Sequence, residues 1–171
     1  MDKAFTPFER LNLYNQYTIL EKLSILQDET EDAKDYALKA RIIKEGFSYS
    51  YHECLEIIQD ELPIEECKLV WDTLEMYSAI LSSYKKIENP KVQIDDIFFY
   101  GFDGNNEPDL LSYCEFILND LNRYDELTAD GRKNFNSHSH CRDKYREMIC
   151  KWDEMKRPFP LTEAQIINLI K

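Results

Sequence analysis

Residues 64–87 read IEECKLVWDTLEMYSAILSSYKKI, and this stretch decides the fold. Cys67, Val70, Trp71, Leu74, Tyr77, Leu81 and Tyr84 recur at helical spacing along one stripe, while Leu69, Met76 and Ile80 make a second. A helix that is apolar around so much of its circumference belongs at the centre of a packed protein. Pro63 supplies its start, and Asn89-Pro90 breaks the pattern.

Working back towards the N-terminus, Thr6-Pro7-Phe8-Glu9 places Thr at the N-cap, Pro at the first helical position and Glu at the third. The first helix is expected to run from there to about Leu26. Phe8, Leu11, Tyr14, Leu20 and Leu23 fall at helical spacing, and Leu13 and Tyr17 widen the stripe. A second helix is expected over Thr30–Glu45, with Ala33, Tyr36, Ala37, Ala40 and Ile43 on one face and Gly46 as its left-handed terminator. Ser50-Tyr51-His52-Glu53 repeats the capping-box pattern. It predicts a third helix that carries Cys54, Leu55, Ile58 and Leu62 inward and stops at Pro63.

Working forward, Ile97-Phe98-Phe99-Tyr100-Gly101-Phe102 has five apolar side chains in six residues. It is either a short strand, a single helical turn or an extended plug, and it either closes the core or forms a subunit interface, core closure being the favoured reading. Glu107-Pro108-Asp109 starts a fifth helix to about Tyr124, with Leu110, Cys114, Ile117, Leu121 and Tyr124 inward. Residues 125–137 read as a polar loop. A sixth helix from about Ser139 to Met155 gathers Tyr145, Met148, Ile149 and Trp152, and Thr162-Glu163-Ala164-Gln165 caps a last short helix. The fold expected is all-α: a single compact domain over residues 1–171, with about six or seven helices and a short aromatic connector.

Composition narrows the function classes. The chain has 171 residues, enough to bury a core without a metal or disulfide, and no fixed-period repeat. Five cysteines at wide spacings argue for free thiols and a cytoplasmic location. Met1-Asp2-Lys3-Ala4-Phe5 does not read as a basic region followed by an apolar one, and no apolar run approaches membrane-spanning length, so neither secretion nor membrane spanning is expected. The net charge is −12, and the most cationic stretch, Arg142–Arg157, sets six cations against four carboxylates, so direct nucleic-acid binding is disfavoured. Glu53, Glu56, Asp60, Glu61, Glu65 and Glu66 run together without a cation; they read as a solvated face, with an acidic nucleic-acid mimic as an alternative.

Four segments resemble the YfbU family of small bacterial proteins: Arg10-Leu11-x-Leu13-x-Asn15-Gln16-Tyr17, Leu74-Glu75-Met76-Tyr77, Gly101-Phe102-Asp103 and Arg123-Tyr124. Weaker matches follow at Phe135-Asn136 and Lys144-Tyr145-x-x-Met148, so the resemblance spans nearly the whole chain in order. It departs around Asp28–Asp35 and at Ser137–Cys141. The resemblance implies an all-helical, self-associating cytosolic protein of a family whose biochemical role is not established.

The residues themselves offer few chemistries. His138-Ser139-His140-Cys141 clusters ligand and nucleophile types, but without a second ligand pair at zinc-finger spacing, so it reads as a polar loop feeding helix six and no metal or cofactor is expected. Asp103-Gly104-Asn105-Asn106-Glu107-Pro108-Asp109 lacks the glycine and glutamate positions of a calcium loop; Asp103 is expected to bond nearby backbone amides within a tight turn. Asn15 and Gln16 put amides beside Tyr17 in the middle of helix one, where burial would demand hydrogen bonds that fix helix register or position a ligand. Phosphate loops, nucleophile elbows and His-Glu-x-x-His are absent from the sequence. The leading reading is a non-enzymatic interaction or sensing module, a homo-oligomer with a possible further protein partner. Its candidate binding or interface residues are Asn15, Gln16, Tyr17, Glu75, Tyr77, Phe98, Phe99, Asp103, Arg123 and Tyr124. The alternative is a small hydrolase or nuclease-like effector built on Glu75, Asp103, Arg123 and His140.

Overall fold

Thr6 starts the first helix as its sequence indicates. In the computed structural model, which describes residues 5–171, the Thr6 side chain accepts the Glu9 amide proton at 3.2 Å and the Glu9 carboxylate accepts that of Thr6 at 2.8 Å. Helix α1 (Pro7–Leu26) is followed by α2 (Thr30–Glu45), which ends on Gly46 at φ +75°, and by the single-turn-and-a-half α3 (Tyr51–Leu55). These belong to the first of two compact units, Met1–Glu61, the second being Leu62–Lys171. Arg10 ties α1 to α2: its Nε donates to the Ile43 carbonyl at 2.9 Å and its Nη2 to that of Lys44 at 2.7 Å, satisfying carbonyls that a helix end leaves unpaired. The unit's small core holds Ile42, Ile43, Tyr51 and Cys54, with Leu13, Tyr14 and Tyr17 packed against it.

Two features of this unit differ from expectation. The α1 stripe of Phe8, Leu11 and Leu23 faces outward and is exposed, because the side of α1 that meets α2 is the one carrying Arg10, Leu13, Tyr14, Tyr17 and Ser24. Helix α3 stops at Leu55, short of the expected Pro63, the Ser50 side chain makes no capping bond at its start, and Ile58 is exposed.

In the second unit α4 (Ile64–Tyr84) is the central helix, with Leu69, Val70, Leu74, Met76, Tyr77 and Ile80 buried. Helix α5 (Pro108–Glu115) continues as a π-helical turn, Phe116–Asp120, and ends there, short of the expected Tyr124. Helix α6 (Arg142–Glu154) brings Tyr145, Met148, Ile149 and Trp152 onto the core, and α7 (Glu163–Ile170) opens on the Thr162 capping box. The seven α-helices and the lack of any strand among the described residues fit the all-α class.

The aromatic connector closes this core. After a 3-10 turn at Ile94–Ile97, Phe99 is buried and Tyr100 exposed, and the left-handed Gly101, at φ +95°, then turns the chain so that Phe102 is buried beside Ile97 and Phe99 in the same core. The Phe102 amide donates to the Phe135 carbonyl at 3.0 Å, and the Ser137 amide to the Phe102 carbonyl at 2.9 Å, making one isolated bridge. Rings of Tyr77, Phe99, Phe102 and Tyr145 meet at centroid separations of 5.1–6.4 Å. Each such buried side chain contributes about 1.5–3 kcal/mol from water exclusion. The following polar loop also reaches inward, for Leu127 and Phe135 are buried. Among the described residues no helix is long and apolar enough to cross a membrane.

Candidate functional site

The residues after the connector build a carboxylate clamp. Glu107 is buried; its Oε2 accepts the Asp103 amide at 3.0 Å, and its Oε1 accepts the amides of Cys141 at 3.1 Å and Arg142 at 2.9 Å. The same carboxylate thus fixes the turn and fills the amino-terminal end of α6, where the helix dipole favours negative charge. Asp103, also buried, accepts from the Asn105 amide at 3.0 Å and the Asn106 side chain at 2.6 Å. These bonds hold its carboxyl below the usual carboxylate range, the Asn106 side chain contributing most. Asp103 therefore has the expected role of bonding local amides.

A second constellation lies along α4 and α5. Trp71 Nε1 donates to the Tyr113 hydroxyl at 2.8 Å, the Trp71 ring meets Tyr124 edge-on at 6.1 Å, and Tyr113 stacks on Phe116 at 6.3 Å and 15°. Trp71, Tyr113 and Tyr124 are half-buried and Phe116 is exposed, so the four rings form a shelf on the surface of the second unit. Carboxylates surround it. Burial raises the Tyr124 phenol above its ordinary value, and the neighbouring Glu75 and Glu126 add to that rise. Arg157 pairs with Asp72 at 2.7 Å, Asp153 at 2.5 Å and Glu75 at 3.5 Å, one guanidinium among three carboxylates. Tyr124 itself sits at φ +58° and Asn122 at φ +49°, conformations that cost energy for residues with a Cβ.

The structure thus brings Glu75 and Tyr124 together, and Arg123, next to Tyr124 in the chain, is exposed. Trp71, Tyr113 and Phe116 complete this shelf and were not among the residues singled out from the sequence; Trp71 read simply as part of the core stripe. Tyr77 and Phe99 are buried in the core, which leaves them no surface for a partner, and Phe98 is half-buried under the Arg132 guanidinium at 4.2 Å. Asn15 and Gln16 are exposed on α1, so they are not buried amides in need of partners, and the Tyr17 hydroxyl donates to the Cys54 carbonyl at 2.5 Å. His138 and His140 are exposed while Cys141 is buried, its Sγ 3.2 Å from the Ser139 carbonyl. No group of three His, Cys, Asp or Glu side chains among the described residues is arranged to hold a metal ion. The acidic run from Glu53 to Glu66 is divided between α3, the segment after it and α4, and Glu66 is ion-paired with Arg142 and Arg146.

These features define an all-α protein whose signature loop, Gly101 to Pro108, carries carboxylates engaged by the backbone. The chain belongs to the YfbU family: the model of the YfbU domain matches residues 3–171. It is similar to the UPF0304 protein MJECS11 of Methanocaldococcus jannaschii, at 32% identity over 169 residues that cover 95% of this chain and 96% of that protein.

Proposed function

We propose that this protein is a non-enzymatic interaction module of the cytoplasm that self-associates through the outer face of α1. The observation that carries the reading is the exposure of Phe8 (71%), Leu11 (55%), Ile19 (57%), Leu23 (48%) and Leu26 (81%). At 100° per residue these positions fall within one outward sector of the helix, interrupted by Asn12, Asn15 and Lys22. Together they offer about 500–600 Å² of side-chain surface, so mating two such faces removes on the order of 1,000 Å² from water, the lower bound for a specific interface. That area lies at the upper end of the range for a monomer's largest apolar patch, a size that is often functional. The engagement of Asp103 by Asn105 and Asn106 supports a non-enzymatic role, because that carboxylate is not left to act on a substrate. The five free thiols suit a reducing compartment.

Light scattering after size exclusion, over a range of protein concentrations, tests the reading. Wild-type protein is expected as a dimer or larger at tens of micromolar, and the double variant Ile19→Glu/Leu26→Glu as a monomer with unchanged helicity. A wild-type monomer throughout that range overturns it.

A further inference from the structure

The geometry points to a second, independent docking surface: the shelf of Trp71, Tyr113, Phe116 and Tyr124 receives a basic segment of another protein, an arginine of that segment lying against the rings and pairing with Glu75. The rings supply negative faces at the surface, and a guanidinium is the side chain that stacks on such faces while still donating hydrogen bonds at its edge. Glu75 is the acceptor within reach. Its side chain is 58% exposed, and its one ion-pair partner among the described residues, Arg157 at 3.5 Å, is held more closely by Asp72 and Asp153. Glu126, which accepts from the Ser78 hydroxyl, adds further negative charge on the Tyr124 side, where Arg123 is an exposed cation. The charge excess at the shelf is therefore negative, and its complement is a cation.

The occupant comes from outside this chain. The richest cationic stretch here, Arg142–Arg157, is interleaved with carboxylates, and its Arg142, Arg146 and Arg157 are already paired with Glu66, Asp72 and Asp153. A chain with net charge −12 also attracts basic partners at long range, which raises the encounter rate without fixing the docking position. The rings fix the position.

Fluorescence anisotropy of a labelled, end-blocked hexa-arginine peptide tests this, at low salt and at about 0.15 M salt. A glycine-serine peptide of equal length is the uncharged probe. Saturable binding of the arginine peptide alone is expected, weakened at least about threefold by Glu75→Gln and by Phe116→Ser. The variant Glu65→Gln, which removes the same charge at the exposed start of α4, is expected to bind as wild type does. Because Glu75 and Phe116 are exposed, unchanged melting temperatures are expected for both variants. No binding by the wild-type protein, or an equal effect of all three substitutions, overturns the proposal in favour of general electrostatic attraction. The α1 variant Ile19→Glu/Leu26→Glu retains the shelf and is expected to bind the peptide undiminished, so loss of self-association and loss of this site are read separately.

Discussion

Glu107 and Cys141, 34 positions apart, meet at 3.1 Å, where the buried carboxylate accepts the amide proton that opens α6. No side chain at the N-cap of α6 does this work, and Arg142 and Asp103 donate to the same carboxylate. Three hydrogen bonds to one ion, each contributing more than a neutral pair, make this the principal polar tie of the second unit. Glu107→Gln is expected to lower the unfolding free energy by about 2 kcal/mol, and Glu107→Ala by about 3 kcal/mol or more because buried amides lose their acceptor. Urea denaturation followed by circular dichroism checks this; a loss under about 0.5 kcal/mol in both variants would show that α6 is held by its apolar face alone.

Gly101 is needed for close approach. It sits at φ +95°, and a Cβ there would stand 1.8 Å from the Phe135 carbonyl oxygen, an impossible contact with the strand-like partner of Phe102. Gly131 also has positive φ, at +78°, but a Cβ there meets nothing within 4 Å. Gly101→Ala is therefore expected to cost about 4 kcal/mol or more, and Gly131→Ala only the left-handed backbone penalty of about 1–2 kcal/mol. Similar unfolding midpoints for the two variants would contradict the placement of Phe135 against Gly101.

Asp103 makes stability depend on pH in a defined direction. Its folded-state pKa is depressed, first by the Asn106 side chain and then by the Asn105 amide. The unfolded chain therefore binds the proton more readily, and the carboxylate contributes stability that is complete above the unfolded value of about 3.9 and is lost as pH falls through the lower folded value. The melting-temperature difference between wild type and Asp103→Asn is expected to be constant from pH 7 to about pH 5 and to shrink below about pH 4. A difference that persists unchanged to pH 3 would assign the effect to packing of the side chain rather than to its charge.

What could be read from the sequence was local. Thr6 and Thr162 lie within three residues of the groups they cap, Gly46 terminates the helix it follows, and both capping boxes and the left-handed glycine are present. Five apolar side chains in six residues cannot all face water, so the connector read either as core closure, the favoured reading, or as a subunit interface, and the buried Ile97, Phe99 and Phe102 place it in the core. Periodicity does not say which way a stripe faces, however. In α1 the side that packs on α2 carries Arg10 and Ser24, polar residues whose burial or backbone bonds only the folded hairpin reveals. Helix five ended early because a π-turn at Phe116–Asp120 changes the phase of the stripe, turning Leu121 out to 44% exposure. The shelf was half legible: Glu75 and Arg123-Tyr124 stood out as short signatures, but the Trp71–Tyr113 bond joins residues 42 positions apart, and no local pattern encodes it.

Arg132 pins the connector to the loop that follows α5. Its guanidinium lies 4.2 Å from the Phe98 ring and 4.7 Å from that of Phe135, and Nη2 donates to the Phe99 carbonyl at 2.6 Å and the Leu127 carbonyl at 3.4 Å. Burial lowers its pKa, opposed by Asp130 at 3.4 Å, but a guanidinium remains charged at any pH the fold survives. Lysine has no planar fork to lie between two rings while reaching two carbonyls, so Arg132→Lys is expected to cost about 1–2 kcal/mol, and Arg132→Met about 2–3 kcal/mol because the Phe99 carbonyl then loses its donor. The partners are ring faces and backbone carbonyls more than the exposed Asp130 carboxylate, so the cost is expected to be nearly the same at about 0.05 M and 0.5 M salt, and Asp130→Ala to cost less than about 1 kcal/mol. Urea denaturation of the three variants at both salt concentrations decides the matter: an Arg132→Lys cost that vanishes at high salt would make the Asp130 ion pair, and not the ring sandwich, the contact that holds the connector down.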